Sequence, residues 1–374
     1  MTATPTVETL VVKVGTSTLT AGTSHLNRRR MLEIAQQIVC AREQGVRVVL
    51  VSSGAMAAGR ERLGMTDRNP ASQSKTLPEK QMLAAVGQTH LMALWEQVFG
   101  MFDVRVAQVL LTRADLSDRR RYLNARDTLL TILDHNILPI VNENDAVTTE
   151  EIRVGDNDNL SALVTNVLDA DLLLILSDID GLFTADPRKD KNAKLIGEVR
   201  EIDDRIRALA GGSKTGLGVG GMSTKIQAAE LVTRAGASMV VAHGARPNVI
   251  LDAVRGQPVG TRFLPVVTQI ESRKRWILSE RTSGAFVADD GAVRALRSGK
   301  SLLPVGVKEV VGEFERGEFV AVRDAQGREV ARGITRYSAR DASRIAGKRS
   351  DQIEKILGYN YAPMLIHADD LVTL

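Results

Sequence analysis

The first two-thirds of the chain alternates short apolar runs with segments of helical period. The runs "TLVVKVG", "VRVVLVSSG" and "DLLLILSDIDG" are rich in Val, Ile and Leu, and between such runs the apolar residues recur every three or four positions. This alternation predicts parallel strands with helices on both faces, and strands covered on both sides are continuously apolar. We therefore predict an α/β domain over residues 1–265, a three-layer αβα sandwich with a mainly parallel central sheet.

The pattern changes after residue 265. A charged stretch, "ESRKRW", leads into short alternating runs interrupted by Gly and Asp, and "DAQG" between two of these runs is typical of a β-hairpin. We predict a linker at residues 266–280 and a small β-rich domain at residues 281–374, with one helix near "SDQIEKILG".

Composition narrows the class of protein. The chain has 374 residues, 44% hydrophobic and 25% charged, which is typical of a soluble globular protein and more than one core usually holds. Its single cysteine, Cys40, excludes an internal disulfide framework and indicates a reducing compartment. No apolar run reaches the ~20 residues that span a bilayer, so we expect a cytoplasmic protein without a membrane partner. The net charge of +4 permits an anionic substrate without requiring nucleic acid.

A glycine-rich loop precedes an amphipathic helix in "TGLGVGGMSTKIQAAELVTRAG", residues 215–236. Gly216, Gly218 and Gly221 match the G-x-G-x-x-G pattern, but the dinucleotide fingerprint needs a strand running directly into the glycines. The preceding "LAGGSK" is a polar loop, and no acidic residue follows the next strand. These features argue against a dehydrogenase, and the chain contains no G-x-x-x-x-G-K-[ST] phosphate loop.

Two lysines occupy positions that are unfavourable without an anion. Lys225 falls in the first turn of the predicted helix, where a cation opposes the helix dipole. Lys13 interrupts an apolar strand of a sheet predicted to be covered on both faces. Either lysine has an ordinary alternative: Lys225 could be an exposed lysine in a surface loop, and Lys13 a charge on an edge strand that discourages aggregation.

Polar clusters close several predicted strands. "SSGA" and "NEND" each follow an apolar run, and "SDIDG" brings Asp178 to the end of another, where the alternative is an ordinary Asp turn. "GDNDN" precedes a helix, and we expect Asn159 to be its N-cap. Ligands gather at the carboxyl ends of parallel strands, so these clusters suggest a site for an α-amino group, a hard cation, or both. With the two lysines added, the residues suit phosphoryl transfer, in which an ionised carboxylate acceptor needs no general base.

Six of these segments, taken in order, resemble the motifs of a known family. "VVKVGTSTL", "VSSGAMAAGRERLG", "VNENDAV", "VGDNDNLSALV", "SDIDGLFTADPR" and "GVGGMSTKIQAA" look like the successive motifs of the glutamate 5-kinases, in the amino-acid kinase superfamily. The resemblance covers essentially the whole chain, and the tail resembles a PUA domain. It implies ATP-dependent phosphorylation of the γ-carboxylate of L-glutamate to γ-glutamyl phosphate, the first step of proline biosynthesis, with inhibition by L-proline.

The resemblance also implies roles for individual residues. Lys13 and Lys225 would flank the transferred phosphoryl group, and Asp158 would orient both ammonium groups. Glutamate would be bound by Ser53, Asp145 and Asn157. The ATP site would comprise Ser177, Asp178, Val219, Gly220, Gly221, Met222, Ser223, Thr224 and Lys225. We expect Mg²⁺ to be held through the ATP phosphates rather than by side chains.

Partners and rival functions complete these expectations. We expect a homo-oligomer, a dimer or a tetramer, and a transient handover of product to glutamyl phosphate reductase. One rival is another kinase of the same fold, acting on N-acetylglutamate, aspartate, carbamate or UMP. A second rival is an RNA-binding role for the tail, which its nearly balanced charge disfavours.

Overall fold

The computed structural model describes residues 7–65, 76–148, 156–210 and 221–374. These residues form two compact units. The first unit extends to Ser117 and resumes over Asn124–Gln269, and the second comprises Asp118–Leu123 and Ile270–Leu374.

The chain up to residue 263 alternates strands and helices as the sequence pattern predicts. The strands are β1 (Thr9–Val14), β2 (Arg47–Ser52), β3 (Val106–Leu111), β4 (Leu138–Glu143), β5 (Leu172–Ser177), β6 (Glu198–Val199), β7 (Ser238–His243) and β8 (Thr261–Phe263). The helices are α1 (Thr16–Thr20), α2 (Arg28–Glu43), α3 (Ala55–Arg62), α4 (Leu77–Gly100), α5 (Arg113–Ser117), α6 (Arg119–Asp134), α7 (Asp156–Val167), α8 (Asp204–Leu209), α9 (Met222–Ala235) and α10 (Val249–Val254).

The strands of the first unit form one sheet in the order β3-β4-β2-β1-β5-β7-β8-β6. Neighbouring strands are parallel except β7 and β8, which pair antiparallel. The predicted α/β fold with a mainly parallel sheet is confirmed. Because β1 lies between β2 and β5, Lys13 is on a central strand, and the alternative that it protects a sheet edge is wrong.

Alternation along β1 decides which helices each side chain meets. Leu10, Val12 and Val14 pack in the core cluster that also contains residues of α2, α4 and α10. Successive side chains of a strand point to opposite faces, so Lys13 lies on the other face. There α7 packs against β1, and α9 packs against α7. The strand period therefore directs the only charged residue of β1 toward these two helices.

Helix α7 begins earlier than the sequence pattern predicts. Its first residue is Asp156, so Asn159 lies inside the helix and the expectation that it is the N-cap is wrong. Acidic side chains are favourable in the first turn because they face the positive end of the helix dipole, which allows the polar "DNDN" segment to be helical. This start places Asn157 and Asp158 in the first turn of α7.

The second unit contains a separate sheet of mixed direction. Its elements are α11 (Gln269–Ser279), β9 (Gly284–Ala288), α12 (Asp290–Arg297), β10 (Val307–Gly312), β11 (Phe319–Arg323), β12 (Glu329–Ile334), α13 (Ala339–Ile345), α14 (Ile353–Leu357) and β13 (Leu371–Thr373). The strand order is β10-β9-β11-β12-β13, and the hairpin predicted at "DAQG" joins the antiparallel strands β11 and β12.

Helices occupy more of this unit than the sequence pattern predicts. The stretch predicted as a linker, residues 266–280, contains α11, which buries Ile277 against Phe319 and Val372. Helices α12 and α13 were not predicted, because they are only eight and seven residues long and lie between stronger strand signals. Both begin at side-chain N-caps, Asp289 and Ser338, which the sequence does contain.

Candidate active site

Two lysines that are distant in the sequence meet at one carboxylate. Lys13 Nζ lies 2.6 Å from Asp158 Oδ1, and Lys225 Nζ donates a hydrogen bond to Asp158 Oδ2 at 3.2 Å. All three residues are buried: Lys13 is 5% exposed, Lys225 is 9% exposed and Asp158 is 1% exposed. The alternative that Lys225 is an exposed lysine in a surface loop is therefore wrong.

Three secondary-structure elements position this group of charges, the lysine–aspartate triad of Lys13, Asp158 and Lys225. Lys13 comes from β1, while Asp158 and Lys225 come from the first turns of α7 and α9. Thr224, one residue before Lys225, donates from Oγ1 to Asp158 Oδ2 at 2.8 Å. The carboxylate, which α7 carries, is thus contacted from α9 and from β1.

The triad shifts the ionisation of its members. Burial lowers the pKa of Lys13, the Asp158 carboxylate opposes that shift, and the Lys225 ammonium adds to it. Burial alone would raise the pKa of Asp158, but the two ammonium groups and the hydrogen bonds from Lys13 and Thr224 outweigh it and lower the pKa. Asp158 is therefore ionised at neutral pH.

The charges of the triad do not balance. Two ammonium groups share one carboxylate, so the triad by itself carries one positive charge in excess at a position almost closed to solvent, and the Asp178 carboxylate acts on Lys13 only through its charge. A buried charge without a counter-charge is costly, and sites that tolerate one usually bind an ion of opposite sign. The arrangement suits an anion that carries several negative charges, such as a polyphosphate.

Ser53 and Asn157, two predicted substrate residues, are in direct contact. Asn157 Nδ2 donates to Ser53 Oγ at 2.9 Å and to Asn142 Oδ1 at 3.0 Å. Ser53 follows β2 directly, Asn142 lies in β4, and Asn157 is the residue before Asp158, so the cluster sits at the carboxyl ends of two adjacent strands. The Oδ1 atom of Asn157 is buried and has no hydrogen-bond partner among the described residues.

Asp145, the third predicted substrate residue, lines a cavity of about 270 Å³. Gln88 of α4 lines the same cavity and accepts a hydrogen bond from Asn142 Nδ2 at 2.7 Å. The cavity is therefore linked to Asn157 through Asn142. Its volume suits a ligand smaller than a drug-sized molecule.

A second cavity, of about 450 Å³, opens beyond the end of β5. Asp178 and Met222 from the predicted ATP set line it, and the carboxylate of Asp178 acts through its charge on the pKa of Lys13. Ser177 is buried and donates from Oγ to Asp178 Oδ1 at 3.2 Å. Gly221 and Ser223 flank Met222 at the start of α9, whereas Val219 and Gly220 lie outside the described residues.

The apolar lining of the larger cavity was missed by sequence reasoning. Among its lining residues are Ile179, Leu182, Phe183, Pro187 and Leu209. Such a wall suits a planar base, with the polar groups of Asp178 and the α9 N-terminus on one side. The only signal available in the sequence was the apolar content of "GLFTADP", which has no regular period.

The turn after Asp178 is fixed by a close approach of the backbone. Gly181 has φ +153°, and a Cβ there would lie 2.5 Å from Thr261 Oγ1. Thr261 Oγ1 in turn accepts from the Leu182 backbone N–H at 2.8 Å. The glycine of "SDIDG" therefore lets the chain pack against β8 and aims the following residues along the cavity wall.

No group of three or more His, Cys, Asp or Glu within residues 7–65, 76–148, 156–210 and 221–374 has metal-binding geometry. The Asp158 carboxylate is paired with two lysines, whereas the Asp178 carboxylate lies on the wall of the larger cavity. A hard cation such as Mg²⁺ could be held here by Asp178 together with phosphate oxygens of a bound nucleotide. In the described part of the chain, no helix is long and apolar enough to cross a membrane.

Comparison with known proteins defines the class. The family model described as "Amino acid kinase family" matches residues 8–243, and the PUA domain model matches residues 284–357. The fold agrees with that of carbamate kinase from Giardia lamblia, which is 21% identical with a TM-score of 0.50, over 71% of this chain and 99% of that structure.

Similarity to individual proteins is much stronger. The chain is 53% identical over 366 residues to glutamate 5-kinase from Erwinia tasmaniensis, covering 98% of both proteins. It is 55% identical over 369 residues to glutamate 5-kinase from Vibrio vulnificus, covering 98% of this chain and 96% of that protein. The chain therefore belongs to the amino acid kinase family and, within it, to the family of the glutamate 5-kinases. It is a kinase with a PUA domain at residues 284–357.

Proposed function

We propose that the protein transfers the γ-phosphoryl group of ATP to the γ-carboxylate of L-glutamate and forms γ-glutamyl phosphate. The observation that carries this proposal is the lysine–aspartate triad, whose excess positive charge lies beside a cavity suited to a nucleotide. The name shared by the relatives that are 53–55% identical supports glutamate as the acceptor.

The triad would stabilise the negative charge of the phosphoryl group during its transfer. An oxygen of the γ-carboxylate attacks the γ-phosphorus, a carboxylate O–P bond forms, and the bond to the β–γ bridging oxygen breaks to release ADP. The acceptor is already ionised, so no residue has to remove a proton. The ammonium groups of Lys13 and Lys225 would neutralise the equatorial and leaving oxygens, and Asp158 would keep both cations aimed at the same position.

Nucleotide binding would use the larger cavity. Its apolar wall, with Phe183 and Leu209, would hold the base, and residues 221–225 would meet the phosphates at the N-terminus of α9. The resemblance adds Val219 and Gly220 to this ATP site. Bound Mg²⁺ supplies further neutralisation of the phosphates. The phosphate oxygens of ATP would hold that ion, and the Asp178 carboxylate on the cavity wall would be the one side chain added to them.

Glutamate binding would use the smaller cavity and the adjoining amide cluster. Asp145, Ser53 and Asn157 offer a carboxylate, a hydroxyl and a free amide oxygen. These groups suit an α-amino acid, whose ammonium group needs acceptors. N-acetylglutamate lacks that ammonium, and UMP and carbamate carry no α-amino group, so the cluster disfavours three of the rivals.

The proposal is tested by trapping the acyl phosphate. Purified protein is incubated with ATP, Mg²⁺ and hydroxylamine, with glutamate, aspartate, N-acetylglutamate or carbamate as acceptor, and hydroxamate formation is measured; UMP is tested by ADP release. We expect glutamate-dependent hydroxamate and ADP in equal amounts, and little turnover with the other acceptors. Preferred turnover of any other acceptor would assign the protein to a different kinase of this fold.

The resemblance to the glutamate 5-kinases also suggests a wider role for the protein. We propose that the product feeds proline biosynthesis, that L-proline inhibits the enzyme, and that the labile acyl phosphate passes to glutamyl phosphate reductase. We also propose a cytoplasmic homo-oligomer. Turnover measured with and without proline tests the inhibition, and light scattering of the purified protein tests the assembly. Full activity at proline concentrations far above those of glutamate, or a monomer, would reject the respective statement.

A further inference from the structure

Four amide side chains form a hydrogen-bonded row that leads from Ser53 to the surface. Asn157 Nδ2 donates to Asn142 Oδ1 at 3.0 Å, and Asn142 Nδ2 donates to Gln88 Oε1 at 2.7 Å. Gln88 Nε2 then donates to Gln108 Oε1 at 3.3 Å. Each amide gives its NH₂ group to the oxygen of the next, so the row has a single direction.

The backbone fixes that direction. The Glu143 backbone N–H donates to Asn142 Oδ1 at 2.9 Å, and a backbone N–H can only donate. The atom of Asn142 that faces it must therefore be the oxygen, which places Nδ2 against Gln88. Asn157 must then offer Nδ2 to Asn142, and its own Oδ1 is left over.

That leftover atom indicates what the site binds. Asn157 Oδ1 is buried and has no hydrogen-bond partner among the described residues, and a buried acceptor without a donor is costly. Glutamate at neutral pH has one hydrogen-bond donor, its α-ammonium group, because both carboxylates only accept. If glutamate is the substrate, as proposed above, Asn157 Oδ1 meets the α-ammonium.

We propose that Gln88 is a positioning residue for glutamate: by accepting from Asn142 it holds the Asn157 amide with its oxygen toward the substrate ammonium. Gln88 lies in the middle of α4 and lines the same cavity as Asp145. Its Oε1 is the acceptor for a buried amide, since Asn142 is only 2% exposed. Without that acceptor, the Asn142 amide is held only by the Glu143 backbone N–H at its oxygen, so it can tilt away and weaken the hydrogen bond that orients the Asn157 amide.

The test compares three substitutions in the full-length protein. Gln88→Met keeps the side-chain length but removes the acceptor, and we expect the KM for glutamate to rise about tenfold with kcat within about twofold of wild type. Gln88→Glu keeps an acceptor for Asn142, and we expect a KM within about threefold of wild type. Gln97→Met, at an exposed position of the same helix α4, is the matched control, and we expect its KM to change by less than about twofold.

Glutarate, which is glutamate without the amino group, provides a readout that a purely structural role would not move. We expect its inhibition constant against glutamate to change less than about twofold in Gln88→Met, because it has no ammonium to meet Asn157. Thermal unfolding of every variant is measured alongside. If Gln88→Met lowers the Tm, Gln88→Leu is used, since it removes the same acceptor with a smaller side chain.

Two results would overturn the proposal. One is an unchanged KM for glutamate in a folded Gln88→Met or Gln88→Leu protein. The other is an equal loss of affinity for glutamate and glutarate, which would indicate general distortion of the cavity. Failure of the wild-type protein to phosphorylate glutamate is a separate result that rejects the proposed function itself.

Discussion

Each unit of the molecule buries charged side chains, but the two sets are built differently. In the second unit, Arg336 Nη2 lies 2.8 Å from Asp370 Oδ2, so each of these two buried charges contacts a charge of opposite sign. In the first unit, Lys13 and Lys225 share Asp158 and leave a positive charge in excess. All five side chains are buried, so burial does not separate the two sets.

The difference lies in what each arrangement leaves unfinished. A buried cation and anion that neutralise each other need no ligand, so breaking their contact lowers the stability of the fold. A triad with an excess ammonium group is neutralised by a bound ligand, so replacing one of its lysines lowers turnover. Charge balance within a buried cluster therefore distinguishes a structural pair from a site in this protein. Four substitutions test that distinction, starting with the largest expected effect.

Replacing Arg336 should affect stability far more than catalysis. Arg336→Met removes the guanidinium group that contacts the buried Asp370 carboxylate. We expect the free energy of unfolding of the second unit to fall by about 3–5 kcal/mol. Denaturant unfolding measures this loss, and kcat is measured at a temperature where the variant is folded. A stable variant with strongly reduced kcat would contradict the comparison, because it would give the balanced pair a role in turnover.

Replacing Lys13 should give the opposite result. Lys13→Ala removes the excess charge and leaves Lys225 paired with Asp158, so we expect kcat to fall by at least ~10²-fold with the Tm nearly unchanged. Steady-state kinetics and thermal unfolding provide the two measurements. Lys191→Ala, which removes an exposed lysine of the same unit, is the matched control. Near-normal turnover of Lys13→Ala would remove Lys13 from the mechanism.

Replacing Asp158 should change the pH dependence. Burial and Lys225 already lower the pKa of Lys13, and Asp158 is the group that most opposes them. In Asp158→Asn the pKa of Lys13 falls further, so Lys13 loses its proton at a lower pH and activity declines earlier as the pH rises. We expect about tenfold lower kcat at neutral pH and a downward shift of the alkaline limb. An unshifted alkaline limb would show that Lys13 ionisation does not limit the reaction.

The smallest effect is expected where no formal charge is involved. Asn157→Ala removes the uncharged amide that contacts Ser53, so we expect chiefly a higher KM for glutamate, by about tenfold, and a nearly unchanged kcat. Initial rates over a range of glutamate concentrations measure both constants. An unchanged KM would reassign Asn157 to a role outside substrate binding.

Most of the first unit could be predicted from the sequence because its signals are local and repeated. Continuous apolar runs such as "LLLIL" mark strands buried on both faces, and that pattern also makes Lys13 conspicuous. The convergence of Lys13 and Lys225 followed from one further rule, that ligands gather at the carboxyl ends of parallel strands.

Other features depend on contacts that leave no local pattern. Gln88 sits in the middle of a long, largely apolar helix, and only the fold places its side chain against Asn142. The antiparallel pairing of β7 with β8 and the apolar wall near Phe183 likewise depend on long-range packing. The N-cap expected at Asn159 failed for a local reason, because the acidic segment before it is itself favourable in a first helical turn.

The most direct test of the account is the phosphoryl-transfer step itself in Lys225→Ala. With enzyme in excess over ATP labelled in its adenosine part, and with saturating glutamate, the rate of labelled ADP formation in an acid-quenched single turnover reports transfer without product release. We predict a rate at least ~10²-fold below wild type while the protein still binds ATP and remains folded. A single-turnover rate close to wild type would contradict the claim that the excess ammonium charge of the triad drives the reaction.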